Sequence, residues 1–142
     1  MKGYYVDSCI YLNLWKQEVD NSGNLLWKFA KEFFKKVEND NSIIYYSGYL
    51  LKELLFVFDE NQFIDKLGMF NYSPNFKRVD LTAEEYEEAK RIKRENSEIS
   101  LYDIIYMLLA KQTNSILITR DKLLIQLSEK YLVVAKMPEE IL

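Results

Sequence analysis

Apolar positions along this chain switch repeatedly between two periods, and the switching predicts the fold. Tyr4 to Val6, Ser42 to Tyr46, Phe76 to Val79, Ile116 to Ile118 and Leu132 to Ala135 are short runs rich in β-branched and aromatic residues, which reads as five strands. The intervening stretches carry helical spacing. Leu25, Leu26, Phe29, Phe33, Phe34 and Val37 share one side of a helix predicted over Asn24 to Glu38, and further helices are expected over Cys9 to Trp15, Tyr49 to Phe58, Phe63 to Tyr72 and Leu123 to Leu127. On the helix over Tyr49 to Phe58, Leu50, Leu51, Leu54, Leu55, Val57 and Phe58 read as one apolar arc.

Capping chemistry sharpens several of these ends. Asp7 or Ser8 can cap the first helix and Ser47 the third, while Thr82 with Glu85 forms a capping box for a charged helix reaching Glu95. Ser73-Pro74 stops the helix before it, because the residue ahead of a proline is pushed away from helical angles. Leu101 to Ala110 is apolar on nearly every side, which requires burial, and Asn114 tolerates the left-handed turn that would end it. Strands alternating with helices imply an α/β class: a mostly parallel sheet covered on both faces. The 142 residues contain no linker, repeat or low-complexity segment, so a single domain over 1–142 is expected.

Four carboxylates stand out against this apolar background. Asp7 follows the first strand, Asp121 follows Ile116 to Thr119, Glu53 lies at the rim of the third helix's apolar arc, and Asp103 interrupts the most hydrophobic helix. Each has an ordinary alternative: Asp7 and Asp121 as helix caps, Ser100 and Asp103 as a capping pattern, Glu53 as a solvent-facing residue. Asp103 is the hardest to dismiss, since an isolated carboxylate among Leu101, Ile104, Ile105 and Leu108 is costly unless it is paired or bound to a metal. In a parallel sheet, acids after strands converge at the carboxyl edge, where such folds bind ligands. Oxygen ligands without nitrogen or sulfur favour Mg²⁺ or Mn²⁺. Ser8 and Thr119 supply hydroxyls able to orient Asp7 and Asp121.

Composition narrows the chemistry. There is no histidine, which removes Ser-His-Asp and Cys-His catalysis, and the single cysteine, Cys9, excludes an internal disulfide and reads as a small buried side chain suited to a reducing compartment. A net charge of -3 argues against binding nucleic acid by bulk attraction, so a phosphate substrate would need local cations. Arg120 and Lys122 beside Asp121, and Lys90, Arg91, Lys93 and Arg94, are candidates, although the latter four also fit a solvated helix face paired with Glu84, Glu87 and Glu88. The surplus apolar face of Leu25, Trp27, Phe29, Phe33 and Phe34 suits core packing or a partner subunit. The start Met1-Lys2-Gly3 leads into too short an apolar run for a signal peptide, and no stretch reaches membrane-spanning length, so a cytoplasmic protein is expected. A phosphoacceptor domain would need a paired acid after the first strand, and a dehalogenase-type hydrolase would need Asp-x-Asp where Cys9 stands.

The segments Tyr5-Val6-Asp7-Ser8, Glu53, Ser100-Leu101-Tyr102-Asp103 and Ile116-Leu117-Ile118-Thr119-Arg120-Asp121 resemble the PIN-domain ribonucleases found as toxins of prokaryotic toxin-antitoxin pairs. Two positions depart from that pattern: Ile104 stands where a small residue is usual and Asn114 where a glycine is usual. The resemblance implies an α/β/α sandwich in which Asp7, Glu53, Asp103 and Asp121 hold Mg²⁺ or Mn²⁺ and activate water against an RNA phosphodiester. It further implies an antitoxin partner and a homodimer. An RNA-processing nuclease and a catalytically degenerate binding module are the alternative expectations.

Overall fold

The computed structural model describes residues 3–142; Met1 and Lys2, at the start read above for targeting, lie outside the described residues. The chain runs β1 (Gly3–Val6), α1 (Ser8–Trp15), α2 (Leu26–Asn39), β2 (Ile43–Tyr46), α3 (Gly48–Val57), α4 (Glu60–Tyr72), β3 (Phe76–Arg78), α5 (Ala83–Glu95), α6 (Leu101–Gln112), β4 (Ile116–Ile118), α7 (Lys122–Lys130) and β5 (Ala135–Lys136), then a 3₁₀ turn at Pro138–Glu140. All five strands are parallel, in the order β3-β2-β1-β4-β5, with Tyr4 opposite Ile44 on one side and Tyr5 opposite Leu117 on the other. Helices cover the sheet: α1 packs on α2, α5 on α6, and α6 on β1. The α/β/α sandwich anticipated from the alternating pattern is the fold observed.

The strand order decides where the molecule is open. From β1 the chain steps outward to β2 and β3, then returns across β1 to continue through β4 and β5, so the order reverses between β1 and β4. Crossovers leave in opposite directions there, and a crevice opens over the carboxyl ends of those two strands.

The core explains the hydrophobic pattern. Tyr5, Ile10, Tyr11, Phe33, Leu50 and Leu54 are sealed from solvent, and α6 is buried without a break from Ile104 to Ala110. Phe33 and Phe34 belong to this packing, which answers the partner alternative for that part of α2. On α3 the expected arc is too wide, because Leu55 and Val57, with neighbouring Phe56, are exposed, at 46%, 40% and 78%.

Several boundaries move for local reasons. Helix α2 starts at Leu26 rather than Asn24, because Asp20 accepts hydrogen bonds from the backbone of Ser22 and Asn24 and from the Asn24 side chain, holding Asn24 in a turn. Helix α4 starts at Glu60 rather than Phe63, since Asp59 and Gln62 form a reciprocal capping box that extends the helix through a polar stretch. The last strand is Ala135–Lys136 rather than Leu132 to Ala135, because Leu132 is left-handed.

That left-handed residue belongs to a repeated device. Among the described residues the four non-glycine ones with positive φ, Gln17, Asn41, Asn114 and Leu132, each follow a helix end by one residue past the cap. In each case the next residue's N–H reaches back to the carbonyl five residues earlier: Glu18 to Asn13, Ser42 to Val37, Ser115 to Ala110 and Val133 to Ser128. This is the Schellman closure, which usually places glycine at the left-handed position. Leu132 is the poorest occupant, being 90% exposed with a bulky side chain at φ 61°. Leu132→Gly should therefore stabilise the protein by about 0.5–1 kcal/mol, more than Asn114→Gly does, as read from the urea midpoint. An unchanged or lower midpoint for Leu132→Gly would show that the turn stores no strain.

Candidate active site

Asp7 leaves β1 at the crevice. Its backbone N–H still bonds to the Ile118 carbonyl at 2.9 Å, so the end of β1 is tied to β4. It sits at the N-cap of α1, yet its side chain caps nothing. The carboxylate instead accepts from the Thr119 hydroxyl at 2.8 Å, from Ser8 at 3.3 Å and from the Cys9 thiol at 3.4 Å, and the residue is only 4% exposed. Burial pushes the Asp7 carboxyl above the ordinary carboxylate range; the Thr119 and Cys9 donors oppose the rise, and nearby Glu53 adds to it. The Cys9 thiol is driven well above its usual value, chiefly by burial and then by the Asp7 charge, which keeps it a protonated donor.

Thr119 joins two of the acids. Fully buried after β4, it donates to Asp7 while its oxygen accepts the Asp121 backbone N–H at 3.1 Å. Asp121 also performs the capping role weighed above: its Oδ1 accepts from the N–H groups of Leu123 and Leu124 at the start of α7.

Asp103 occupies the first turn of α6. Its N–H donates to the Ser100 hydroxyl at 3.1 Å, and helix α6 has the Ser100 half of the capping pattern without the returning carboxylate bond. The Asp103 carboxyl is pushed up to about 7, first by burial and then by Asp7 and Glu53; the Ser100 contact opposes the rise and Asp121 adds to it. All three other acids act on Asp103, Asp7 most and Asp121 least. Glu53 is held on α3 by the Tyr106 hydroxyl, which donates to its Oε1 at 3.0 Å. The Tyr106 ring stacks on Tyr5 at 5.4 Å, and the Tyr5 hydroxyl pairs with Ser47, itself the cap of α3, at 2.7 Å.

Mutual repulsion among acids in a buried setting is relieved by protonation or by a cation. The all-oxygen donor set fits a hard divalent ion. Among the described residues no group of three or more acidic or cysteine side chains is drawn together tightly enough to enclose a metal ion. The arrangement is an open cluster.

Tyr106, Ser47 and Cys9 were not singled out as site residues from sequence, although Tyr106 stands one helical turn beyond Asp103 and Cys9 two residues beyond Asp7. One cation expectation changes and one is met. Arg120 does not reach into the site: its Nε donates to Asn13 at 2.8 Å and its Nη1 pairs with Glu139 at 2.9 Å, fastening the 3₁₀ turn onto α1. Lys90 and Arg91 pair with Glu87, Glu88 and Glu95 along α5, the solvated-face arrangement.

Comparisons with known proteins agree with this fold. A family model described as the PIN domain matches residues 4–130. A search of curated proteins finds no match. Among solved structures, FitAcB from Neisseria gonorrhoeae superposes with a TM-score of 0.63 at 14% identity, covering 96% of this chain and 98% of that one. VapBC2 from Rickettsia felis, bound to a DNA fragment from its promoter, gives 0.65 at 17% identity with coverages of 94% and 96%. VapC20 of Mycobacterium tuberculosis, described as a toxin that cleaves the sarcin-ricin loop, gives 0.63 at 17% with 84% and 90%.

The Asp103 shift has a pH consequence with a definite sign. Its folded pKa, about 7, lies above the unfolded value near 3.8, so between those limits the folded state holds a proton that the unfolded state has released. Metal-free protein should lose this contribution to stability as pH rises from about 4 to 7. Asp103→Asn should accordingly raise Tm in EDTA more at pH 7.5 than at pH 5. A Tm difference independent of pH would show that Asp103 is not held in the protonated form.

Proposed function

The chain belongs to the PIN-domain family, and from that premise we propose that it is a divalent-metal-dependent endoribonuclease acting as the toxin of a toxin-antitoxin pair. The observation that carries the reading is Asp7: a buried carboxylate at the β1/β4 crevice, positioned by Thr119 and repelled by neighbouring acids. A structural cap would accept from the backbone N–H groups of its own helix, and this one does not.

Asp7, Glu53, Asp103 and Asp121 are the residues that would hold Mg²⁺ or Mn²⁺. Such an ion would supply Lewis-acid polarisation of a phosphoryl oxygen and activation of water. The chain's own parts do the rest. Thr119 aims Asp7 and Tyr106 aims Glu53, so two acids are oriented before anything binds. Asp103, partly protonated near neutrality, would release its proton when positive charge arrives, so affinity should rise with pH. With no histidine in the chain, no side chain of that type is available as a base.

An antitoxin and a second copy of the chain are the proposed protein partners. The comparison with the VapBC2 assembly supports the first. Large exposed apolar side chains on α3 and α4, Phe56 at 78% and Ile64 at 57%, suit burial by another protein better than solvent. Among the described residues no helix is long and apolar enough to cross a membrane, and the cytoplasm is the proposed compartment.

Two experiments test the reading. Mn²⁺ should raise the Tm of the wild type by mass action and raise that of Asp103→Asn much less; an equal gain in both would refute shared coordination. Single-stranded RNA should be cut with Mg²⁺ or Mn²⁺ and left whole in EDTA. Asp7→Asn should abolish cutting, and Thr119→Val should lower kcat by about 10–100-fold through misaiming Asp7. Full cutting by Asp7→Asn would end the proposal.

A further inference from the structure

The carboxyl edge of the sheet carries a second feature, away from the β1/β4 crevice. Beyond β2 and β3 lies a cleft of about 240 Å³, lined by Gly48, Tyr49, Lys52, Arg78, Asp80 and Leu81 among others. Tyr46 and Arg78 are register partners at the ends of those strands, so the cleft shares the sheet edge on which Asp7 and Thr119 stand. Its volume lies below the roughly 300 Å³ at which drug-sized pockets begin, a size suited to one base or one phosphodiester unit.

Three observations give this cleft a ligand chemistry. Its two cations are available: Arg78 lies 3.7 Å from Asp80 in a pair exposed on both sides, and Lys52 has no carboxylate within ion-pair distance among the described residues. Gly48 makes room for one of them, since a Cβ there would stand 2.9 Å from Arg78 Nη2, so the guanidinium lies across the start of α3. An aromatic pair joins the cleft to the acids. Tyr49 meets Tyr102 edge to face at 5.7 Å; Tyr49 is one helical turn before Glu53, and Tyr102 directly precedes Asp103. An acidic protein with an acidic site needs local positive charge to hold a polyanion beside that site, and this cleft supplies two such charges.

We infer that the Tyr49/Lys52/Arg78 cleft seats a nucleotide of the single-stranded RNA next to the bond that is cut, with Arg78 and Lys52 on its phosphate and Tyr49 against its base. The inference rests on the ribonuclease reading and adds where the strand runs: from the acid cluster over the tyrosine pair toward β3. Arg supplies a planar fork for phosphate oxygens, and a tyrosine face accepts any unpaired base.

The test is fluorescence anisotropy of a labelled single-stranded RNA in EDTA over a salt series, with cleavage in Mn²⁺ measured on the same proteins. Arg78→Ala and Lys52→Ala should each weaken binding by about threefold to fivefold at 0.15 M salt, and each should lower the slope of log affinity against log salt by about 0.7. Tyr49→Leu should weaken binding by about fivefold or more with the slope unchanged, and Tyr49→Phe should restore it. Lys90→Ala, on the paired face of α5, should change nothing. The inference is overturned if the wild type binds and cuts RNA while the Arg78 and Lys52 variants keep its affinity and slope, or if Lys90→Ala loses as much as they do. That pattern leaves the ribonuclease reading standing. RNA neither bound nor cut by the wild type would remove both. Should Tyr49→Leu fail to fold by circular dichroism, the salt slopes of the two cation variants decide.

Discussion

One hydrogen bond organises this molecule's chemistry: the Thr119 hydroxyl donating to Asp7 at 2.8 Å inside the protein. A carboxylate taken out of water needs donors or a counter-charge, and at Asp7 the donors come from the residue that follows β4 and from the first two residues of α1. The same threonine oxygen receives the N–H of Asp121, so the turn into α7 is set by the side chain that aims Asp7. Strand pairing, helix start and acid placement are thereby coupled. The sheet supplies the rest, because only a reversal of strand order beside β1 lets residues so far apart in the chain meet at an open edge.

Support for the other acids is indirect and aromatic. Glu53 is on a helix rim, and what holds it is Tyr106, whose ring is clamped on Tyr5, whose hydroxyl in turn rests on the cap of α3. Tyr5 and Tyr106 carry both packing area and a hydroxyl that finds a partner. This gives a physical reason for an aromatic-rich core close to a polar site.

The fold was legible in the sequence where periodicity was strong, and the acids where they broke it. Asp103 was conspicuous because nothing else on α6 could neutralise it, and Asp7 because it closed an apolar run. What could not be read was whatever depended on long-range geometry. Arg120 looked available beside Asp121, but its partner Glu139 lies 19 residues on, in a turn no periodicity announced. The start of α4 hid in a polar stretch, since Asp59 and Gln62 work as caps only when the backbone between them is helical. The end of β4's neighbour shifted because Leu132 adopts a conformation its residue type disfavours, which local propensity argues against. The exposure of Leu55 and Val57 was likewise invisible, since hydropathy cannot tell a core face from a solvent-facing one.

The bond between residues 7 and 119 also spans most of the polypeptide. During synthesis Asp7 emerges 112 residues before the hydroxyl that aligns it, so a nascent or prematurely halted chain carries an acid without an aim. For a protein proposed to be a nuclease, assembly of the cutting site is deferred until residue 119 has left the ribosome.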